Sequence, residues 1–243
     1  VLCFHQYARI PDDYYVSKVA KFREMLTKYS RHITLWQGEG GAPSVKGTDG
    51  VLFNYDWDTR LQAKWIMRKL VAETYIDLEL TSYFHLIDLA ARNDSGKIVG
   101  SVNYKGLLNL DATPKFAFTV FRYMLNLLNG KVPLAAGKGN LIFTSSDNVV
   151  FYNFAASKTS TTTNLIAFWN KGDYTPSGTV LNNVVLTMTT GSLAMLSDYV
   201  LFNPITLSVY KIKATSKKFV MPLKDYPLFI VKLTTLQAFG TVV

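Results

Sequence analysis

Glu39 is the residue whose surroundings in this sequence most favour chemistry. It is a lone carboxylate between Gly38 and the pair Gly40–Gly41, directly after the apolar run 33–36. Glycines at such a point let the backbone turn sharply and let a substrate approach closely, and a carboxylate there can act as a nucleophile. An exposed glutamate in a glycine-rich turn fits the composition equally well. The pattern alone therefore leaves a catalytic and a structural interpretation open.

Polar side chains also follow the other two apolar runs of the first half. His5 and Tyr7 end the run 1–8, and residues 83–88 end the run 78–89. Loops that follow parallel strands build the active site of a barrel, so these side chains are candidates to join Glu39. His85 either lines that pocket or satisfies a hydrogen bond in the core. His32 begins its strand, at the opposite face, and is left out of the predicted site.

The elements that must position these residues alternate between strands and helices up to residue 133. The three apolar runs begin at Val1, His32 and Leu78, and each precedes a helical pattern or a long polar loop that leads to one. Helices are predicted after Asp12–Asp13, which we interpret as caps rather than a second catalytic carboxylate, after Asp58, and after Thr113–Pro114. The expected apolar faces are Val19, Phe22 and Leu26; Leu61, Trp65, Met67 and Leu70; and Phe118, Phe121, Leu125 and Leu128.

Residues 138–243 change to short β-rich runs separated by Ser, Asn, Gly, Asp and Pro. We predict strands at 141–146, 148–154, 164–170, 183–189, 192–197, 199–203, 206–212, 217–223 and 228–233. The segment 174–183 carries turn residues. The predicted domains are therefore a mixed α/β domain over 1–133 and an antiparallel β-sandwich over 138–243.

Composition narrows the function classes. The net charge is +9, yet the basic residues are spread over predicted helices, where Lys64, Arg68 and Lys69 are expected on solvated faces. Only Lys211, Lys213, Lys217 and Lys218 form a cluster, without the interleaved aromatics that favour nucleic acid, so no nucleic-acid partner is predicted. No metal constellation, phosphate loop or membrane span is found, so no cofactor is expected. The single Cys3 leaves the compartment open between extracellular and cytoplasmic.

The order of the motifs resembles that of clan A retaining glycoside hydrolases. The run HITLWQGEGGAPS is similar to the seventh strand and nucleophile loop of that clan, His5-Gln6-Tyr7 to the His-x-Tyr of the sixth strand, and TSYFHLIDL to the eighth strand. The run ATPKFAFTVFRYMLNLL is similar to the last barrel helix. The resemblance implies the C-terminal three βα units of a TIM barrel, strands 6 to 8, followed by the sandwich.

The resemblance also implies roles for individual residues. Glu39 would be the nucleophile, Tyr7 would hold it ionised and oriented, and His5 would contact a sugar hydroxyl or a neighbouring side chain. The eighth strand carries aromatic residues in place of the tryptophan common in the clan, so the sugar platform is open between Tyr83 and Phe84 and the loop residue Tyr104. The expected substrate contacts are Tyr83, Phe84, His85 and Trp57.

The Asn-Glu pair that supplies the acid/base in that clan is absent from this sequence. A retaining hydrolase needs two carboxylates, so we expect the other to lie on the missing N-terminal part of the barrel, in the same or a processed chain. The expected partner of the site is a carbohydrate substrate. The alternative is a non-catalytic carbohydrate-binding or structural protein on a degenerate barrel.

Overall fold

The chain divides into two compact units in the computed structural model, which describes residues 1–29, 33–47, 50–175 and 183–237. The first unit comprises residues 1–73 and 78–122, and the second comprises residues 74–77 and 123–243. Helices, a parallel sheet and antiparallel sheets all occur, so the mixed α/β class is confirmed. The domain bounds 1–133 and 138–243 stay a prediction.

The first unit contains a three-stranded parallel sheet in the order β1-β2-β3. The strands are β1 (Leu2–Phe4), β2 (Leu35–Gln37) and β3 (Leu80–Thr81). The alternation with helices α1 (Pro11–Tyr29), α2 (Thr59–Tyr75) and α3 (Phe116–Leu128) is as predicted. The third strand is far shorter than its apolar run, although the Ser82 nitrogen beyond it still donates to the Gln37 carbonyl at 3.0 Å. His32 lies outside the described residues.

Helix α2 is buried along most of its length. Asp58 caps it as predicted, since its Oδ1 accepts a hydrogen bond from the Leu61 backbone nitrogen at 2.7 Å. The expectation that Arg68 and Lys69 lie on a solvated face is wrong, because both are fully buried and paired with carboxylates. A core helix can carry such cations only when each is matched by an opposite charge.

The segment expected to be a long polar loop forms a β-hairpin of β4 (Leu89–Arg92) and β5 (Ile98–Asn103). Asn93 closes its turn: the Oδ1 atom accepts a hydrogen bond from the Lys97 nitrogen at 2.9 Å, and Gly96 has φ of +76°. Asparagine and glycine are turn formers, so Asn93–Asp94–Ser95–Gly96 was the available signal.

Helix α3 ends at Leu128, and Gly130 shortly after it takes φ of +66°, the left-handed conformation common after a helix. Its buried face matches the expected one only at Leu128. Val120, Met124 and Leu127 are buried, whereas Leu125 is 47% exposed. The helix is apolar around much of its circumference, so spacing alone did not identify the face that packs.

The second unit is mainly antiparallel β structure. Its strands are β6 (Val132–Pro133), β7 (Ile142–Thr144), β8 (Val149–Ala155), β9 (Leu165–Asn170), β10 (Val184–Thr190), β11 (Tyr199–Asn203), β12 (Ser208–Lys211), β13 (Lys218–Met221) and β14 (Leu228–Lys232). One sheet has the order β12-β11-β14-β9-β8-β6 and the other β13-β10-β7. Strands β9, β11 and β14 are buried on both faces, which explains their unbroken apolar sequences.

One predicted strand of this unit is wrong. Residues 192–197 contain a short helix, α4 (Leu193–Leu196), whose N-cap Ser192 accepts a hydrogen bond from the Met195 nitrogen at 3.2 Å. Serine immediately before Leu-Ala-Met-Leu, all good helix formers, was the missed signal. A second short helix, α5 (Leu233–Gln237), follows β14. Of the predicted turn 174–183, residues 176–182 lie outside the described ranges.

Across the part of the chain that the structure describes, no helix has both the length and the apolar character required to cross a bilayer.

Candidate active site around Glu39

Parallel pairing of β1 with β2 brings His5, Tyr7 and Glu39 together. Phe4 is in register with Gln37, so the residues after each strand leave the sheet at the same edge. The Gly38 backbone nitrogen donates to the Phe4 carbonyl at 3.0 Å and continues the pairing one step beyond β2. The two segments are 32 residues apart between Tyr7 and Glu39, so only the sheet brings them into contact.

The Glu39 carboxylate has a polar contact at each oxygen. The Tyr7 hydroxyl donates to Oε1 at 2.8 Å, and the His5 Nδ1 atom lies 2.9 Å from Oε2. The glutamate side chain is 28% exposed and that of His5 is 56% exposed, so the group is held in place while still facing solvent. Two oriented contacts on an accessible carboxylate suit a nucleophile, because they fix its direction without covering it.

Tyr7 stays a neutral donor in this arrangement. Burial of the phenol raises its pKa above the usual value, and the hydrogen bond and negative charge of Glu39 raise the pKa further. The proton therefore stays on Tyr7 at neutral pH, and Glu39 keeps the acceptor role.

Close packing explains two of the glycines in the loop. A Cβ atom on Gly38 would lie 2.3 Å from Cys3 Sγ and 2.9 Å from His5 Nε2, so a larger residue would displace the histidine. A Cβ atom on Gly41 would lie 1.7 Å from the Phe84 carbonyl oxygen. The Phe84 nitrogen also donates to the Gly40 carbonyl at 2.9 Å, so the loop after β2 lies directly against the loop after β3.

The buried carboxylates of the first unit are all paired with cations. Asp12 receives two hydrogen bonds from Arg68, at 2.6 and 2.7 Å. Glu73 accepts from Lys69 at 2.6 Å and is also bonded to Thr81. Asp88 accepts from Lys115 at 2.6 Å and from the Gly106 nitrogen at 2.8 Å. Among the described residues, none of these three is in contact with Glu39.

The four residues expected to bind substrate lie in different surroundings. Tyr83 packs edge-on against Trp65, with ring centroids 6.4 Å apart, and its hydroxyl donates to the Ala42 carbonyl at 3.3 Å. Trp57 is 3% exposed and donates to the Leu52 carbonyl at 2.6 Å, which leaves little ring surface for stacking. Phe84 and His85 are half-buried, and the peptide between them is cis. Substrate contact by any of the four stays a prediction.

His85 is held by its own loop. Its Nδ1 atom donates to the Ile87 carbonyl at 2.5 Å. Burial lowers its pKa, so the ring is neutral at pH 7. A neutral imidazole can present Nε2 as an acceptor to a hydroxyl group.

The sequence did not predict the side chain that hydrogen-bonds to the loops after β2, β3 and β5. Gln62 of α2 is fully buried, and its Nε2 atom lies within hydrogen-bond distance of Ala42 O at 3.0 Å, Gly106 O at 3.1 Å and Tyr83 Oη at 3.1 Å. Lys115 adds a second tie, since it donates to Ser44 Oγ at 2.8 Å as well as to Asp88. A single sequence offers no signal for Gln62, because its partners are 20 or more residues away.

We expect Tyr7→Phe to leave the tyrosinate absorbance of the folded protein unchanged at about pH 10.5, where most tyrosines of an unfolded chain are ionised. The raised pKa keeps the Tyr7 phenol protonated there, whereas the unfolded chain loses that proton. The folded protein binds this proton more tightly than the unfolded chain does. The free energy of unfolding that Tyr7 contributes therefore falls as pH rises above about 10. Absorbance near 295 nm measures the effect.

The same variant in denaturant is the matched control for that titration. In denaturant, the tyrosinate absorbance of the variant should be lower by the contribution of one tyrosine. A loss of one tyrosinate already in the folded protein would show that Tyr7 ionises freely and would contradict the geometry around Glu39.

Comparison with known proteins gives no family match from sequence. No family model matches the chain, and no curated protein matches it. Comparison of structures finds a family 39 glycoside hydrolase from the gut symbiont Bacteroides cellulosilyticus WH2, with a TM-score of 0.59 over 87% of this chain and 13% sequence identity. The fold is glycosidase-like. The chain spans 37% of the length of that enzyme.

Two further glycosidase structures match less of the chain. They are a β-glucuronidase from Bifidobacterium dentium (TM-score 0.37, 17% identity, covering 53% of this chain and 20% of that one) and a family 2 β-galacturonidase from Eisenbergiella tayi (TM-score 0.37, 18% identity, covering 50% and 22%). Matches of that quality carry no argument, so the likeness rests on the family 39 structure.

Proposed function

We propose that this sequence is part of a retaining O-glycoside hydrolase of clan A type, in which Glu39 is the nucleophile. The observation that carries the proposal is the pair of contacts on Glu39, from Tyr7 at 2.8 Å and His5 at 2.9 Å, at the ends of adjacent parallel strands. The fold shared with a family 39 glycoside hydrolase supports the same assignment.

The assignment of the parallel sheet to a TIM barrel is supported by the different exposure of its two faces. Leu35 and Gln37 of β2 are buried, whereas Trp36 between them is 38% exposed and is in register with Cys3 and Leu80, which are exposed as well. In the described ranges, no further strand pairs with the outer edges of β1 or β3. A closed barrel would cover this apolar face and pair both edges, so we assign β1, β2 and β3 to strands 6, 7 and 8.

The proposed reaction has two displacement steps. A Glu39 oxygen forms a bond to the anomeric carbon while the bond from that carbon to the leaving oxygen breaks, and a second carboxylic acid gives its proton to the leaving oxygen. Water then loses a proton to that second carboxylate and displaces Glu39. Tyr7 and His5 hold the attacking carboxylate, and the neutral Tyr7 remains a donor throughout.

The second carboxylate is proposed to lie on polypeptide outside this sequence. Within the described residues, the other buried carboxylates of the first unit, Asp12, Glu73 and Asp88, are each neutralised by a cation. The same observation favours the alternative, a carbohydrate-binding protein without catalysis, if no such carboxylate exists. The hydrolase proposal and this alternative differ in whether Glu39 forms a covalent bond to the sugar.

Covalent trapping distinguishes them. The full-length protein would be incubated with 2,4-dinitrophenyl 2-deoxy-2-fluoroglycosides of several sugars, whose good leaving group needs little acid catalysis, and then digested with trypsin. The peptide 32–46, between Arg31 and the cleavage after Lys46, contains Glu39 as its single carboxylate side chain. We expect this peptide to gain the mass of one fluorosugar, and the gain to vanish in Glu39→Gln.

Two results would overturn the proposal. A fluorosugar on another peptide would assign the nucleophile elsewhere. Saccharide binding by the intact protein without any covalent label would favour the non-catalytic alternative.

A further inference from the structure

A pocket of about 580 Å³ opens in the second unit, whereas Glu39 and its contacts belong to the first unit. Its walls come from β11, β12, β13 and β14 and from the segments that follow β12 and β13. Leu201, Met221 and Leu228 are buried and give it an apolar floor. The volume lies in the range of small-ligand sites, which usually combine an apolar floor with a few polar groups.

The rim of this pocket is cationic. Lys211, Lys213 and Lys224 line it, and among the described residues no acidic side chain does. Within the described residues, none of these three ammonium groups has a salt bridge. The nearby Asp225 directs its carboxylate to Thr175 instead, accepting from the backbone nitrogen at 2.8 Å and from the hydroxyl at 3.0 Å.

The wider charge distribution favours the same kind of ligand. Residues 123–243 contain ten lysines and four aspartates, a net charge of +6 out of +9 for the chain. Three lysines that line one concavity raise the local concentration of anions.

Two tyrosines give the pocket a surface for a ring. Tyr210 is 53% exposed, and Tyr226 is buried with its hydroxyl within 3.3 Å of Asn203 Nδ2. An exposed tyrosine ring packs against the carbon–hydrogen face of a sugar, while lysines pair with its charged substituent. Apolar floor, aromatic side and cationic rim together suit a ring that carries a negative charge.

We propose that this pocket binds a saccharide unit bearing a carboxylate or sulfate group, as part of an anionic polysaccharide. The need for an anion follows from the lysines alone, whereas the choice of a saccharide rests on the proposed function. The pocket would hold the polymer to the β domain.

Calorimetric titration of the full-length protein tests the proposal with three hexasaccharides: an oligogalacturonate, a sulfated heparin fragment and neutral cellohexaose. We expect one or both anionic ligands to bind and the neutral one to bind at least about tenfold more weakly. The anionic ligand that binds identifies the substituent.

Paired lysine variants locate the site. Lys211→Ala/Lys213→Ala should weaken the affinity for the anionic hexasaccharide at least about tenfold. Lys217→Ala/Lys218→Ala removes the same charge from residues outside the pocket lining and should change that affinity less than about twofold. Tyr210→Ala should weaken the affinity for the saccharide but not the affinity for inorganic sulfate, which has no ring to stack. The Lys211→Ala/Lys213→Ala variant should still take up the fluorosugar label at Glu39, so failure of the hydrolase proposal would be visible separately.

Three outcomes would overturn the inference: equal binding of the neutral hexasaccharide, equal loss in the two lysine variants, or no binding of either anionic ligand.

Discussion

Glu39→Gln in the full-length protein is expected to lower kcat for glycoside hydrolysis by about 10⁴-fold or more, because an amide cannot replace the carboxylate as the attacking group. The amide oxygen can still accept the Tyr7 hydrogen bond at the Oε1 position, so the fold around it should persist. Hydrolysis of an aryl glycoside, with thermal unfolding recorded in parallel, checks both statements.

A structural role for Glu39 would give a different pattern. Removal of a merely supporting carboxylate would lower the melting temperature and raise KM as well as lower kcat, and added azide would not restore turnover. If Glu39 is the nucleophile, Glu39→Ala should regain turnover with azide, and the glycosyl azide formed should have inverted configuration. Glu24→Gln, an exposed glutamate on α1, is the matched control and should retain full activity.

Asp12→Ala is expected to lower the free energy of unfolding by about 3 kcal/mol or more, because it leaves the Arg68 guanidinium buried without a counter-charge. The two side chains are 1% and 0% exposed and are joined by two hydrogen bonds. The pair connects the first turn of α1 to the middle of α2. Urea-induced unfolding of the full-length protein, followed by circular dichroism, measures the change.

Asp13→Ala is the control for that experiment, since Asp13 is adjacent in the same first turn but exposed. Asp13→Ala should lower the free energy of unfolding by a few tenths of a kcal/mol at most, the usual size of a surface charge effect at a helix N-terminus. Asp12→Leu combined with Arg68→Met should recover much of the lost stability, because removal of both charges also removes the desolvation cost. Equal effects of the two alanine variants would show that Asp12 acts only as a helix-end charge, as its sequence position suggested.

The proximity of His5, Tyr7 and Glu39 could be predicted from the sequence because the relevant geometry is local to strand ends. Two apolar runs that pair in parallel must end together, so the residues after Phe4 and after Gln37 are neighbours whichever helices connect them. Glycines on either side of Glu39 marked a place of close packing, and the Phe84 carbonyl against Gly41 is the physical reason for one of them.

The sequence was least informative where a residue's state depends on a distant partner. Arg68 and Lys69 have the spacing of a solvated face, and only Asp12, 56 residues away, and Glu73, one turn further along the helix, explain their burial. The hairpin of β4 and β5 is largely exposed, so it lacks the apolar alternation by which strands are recognised. Residues 192–197 form a helix because a cap and a short favourable sequence outweigh the apolar pattern.

Cys3 makes the region around Glu39 open to chemical labelling without any mutation. It is the single cysteine of the sequence, it is exposed, and its sulfur lies 3.8 Å from His5 Nε2. A thiol-reactive fluorophore would therefore attach at Cys3 where this face of the sheet is open to solvent, whereas the further strands of a closed barrel would cover Cys3 and block the reaction. The rate of labelling would report directly on whether polypeptide packs against the sheet next to the glutamate.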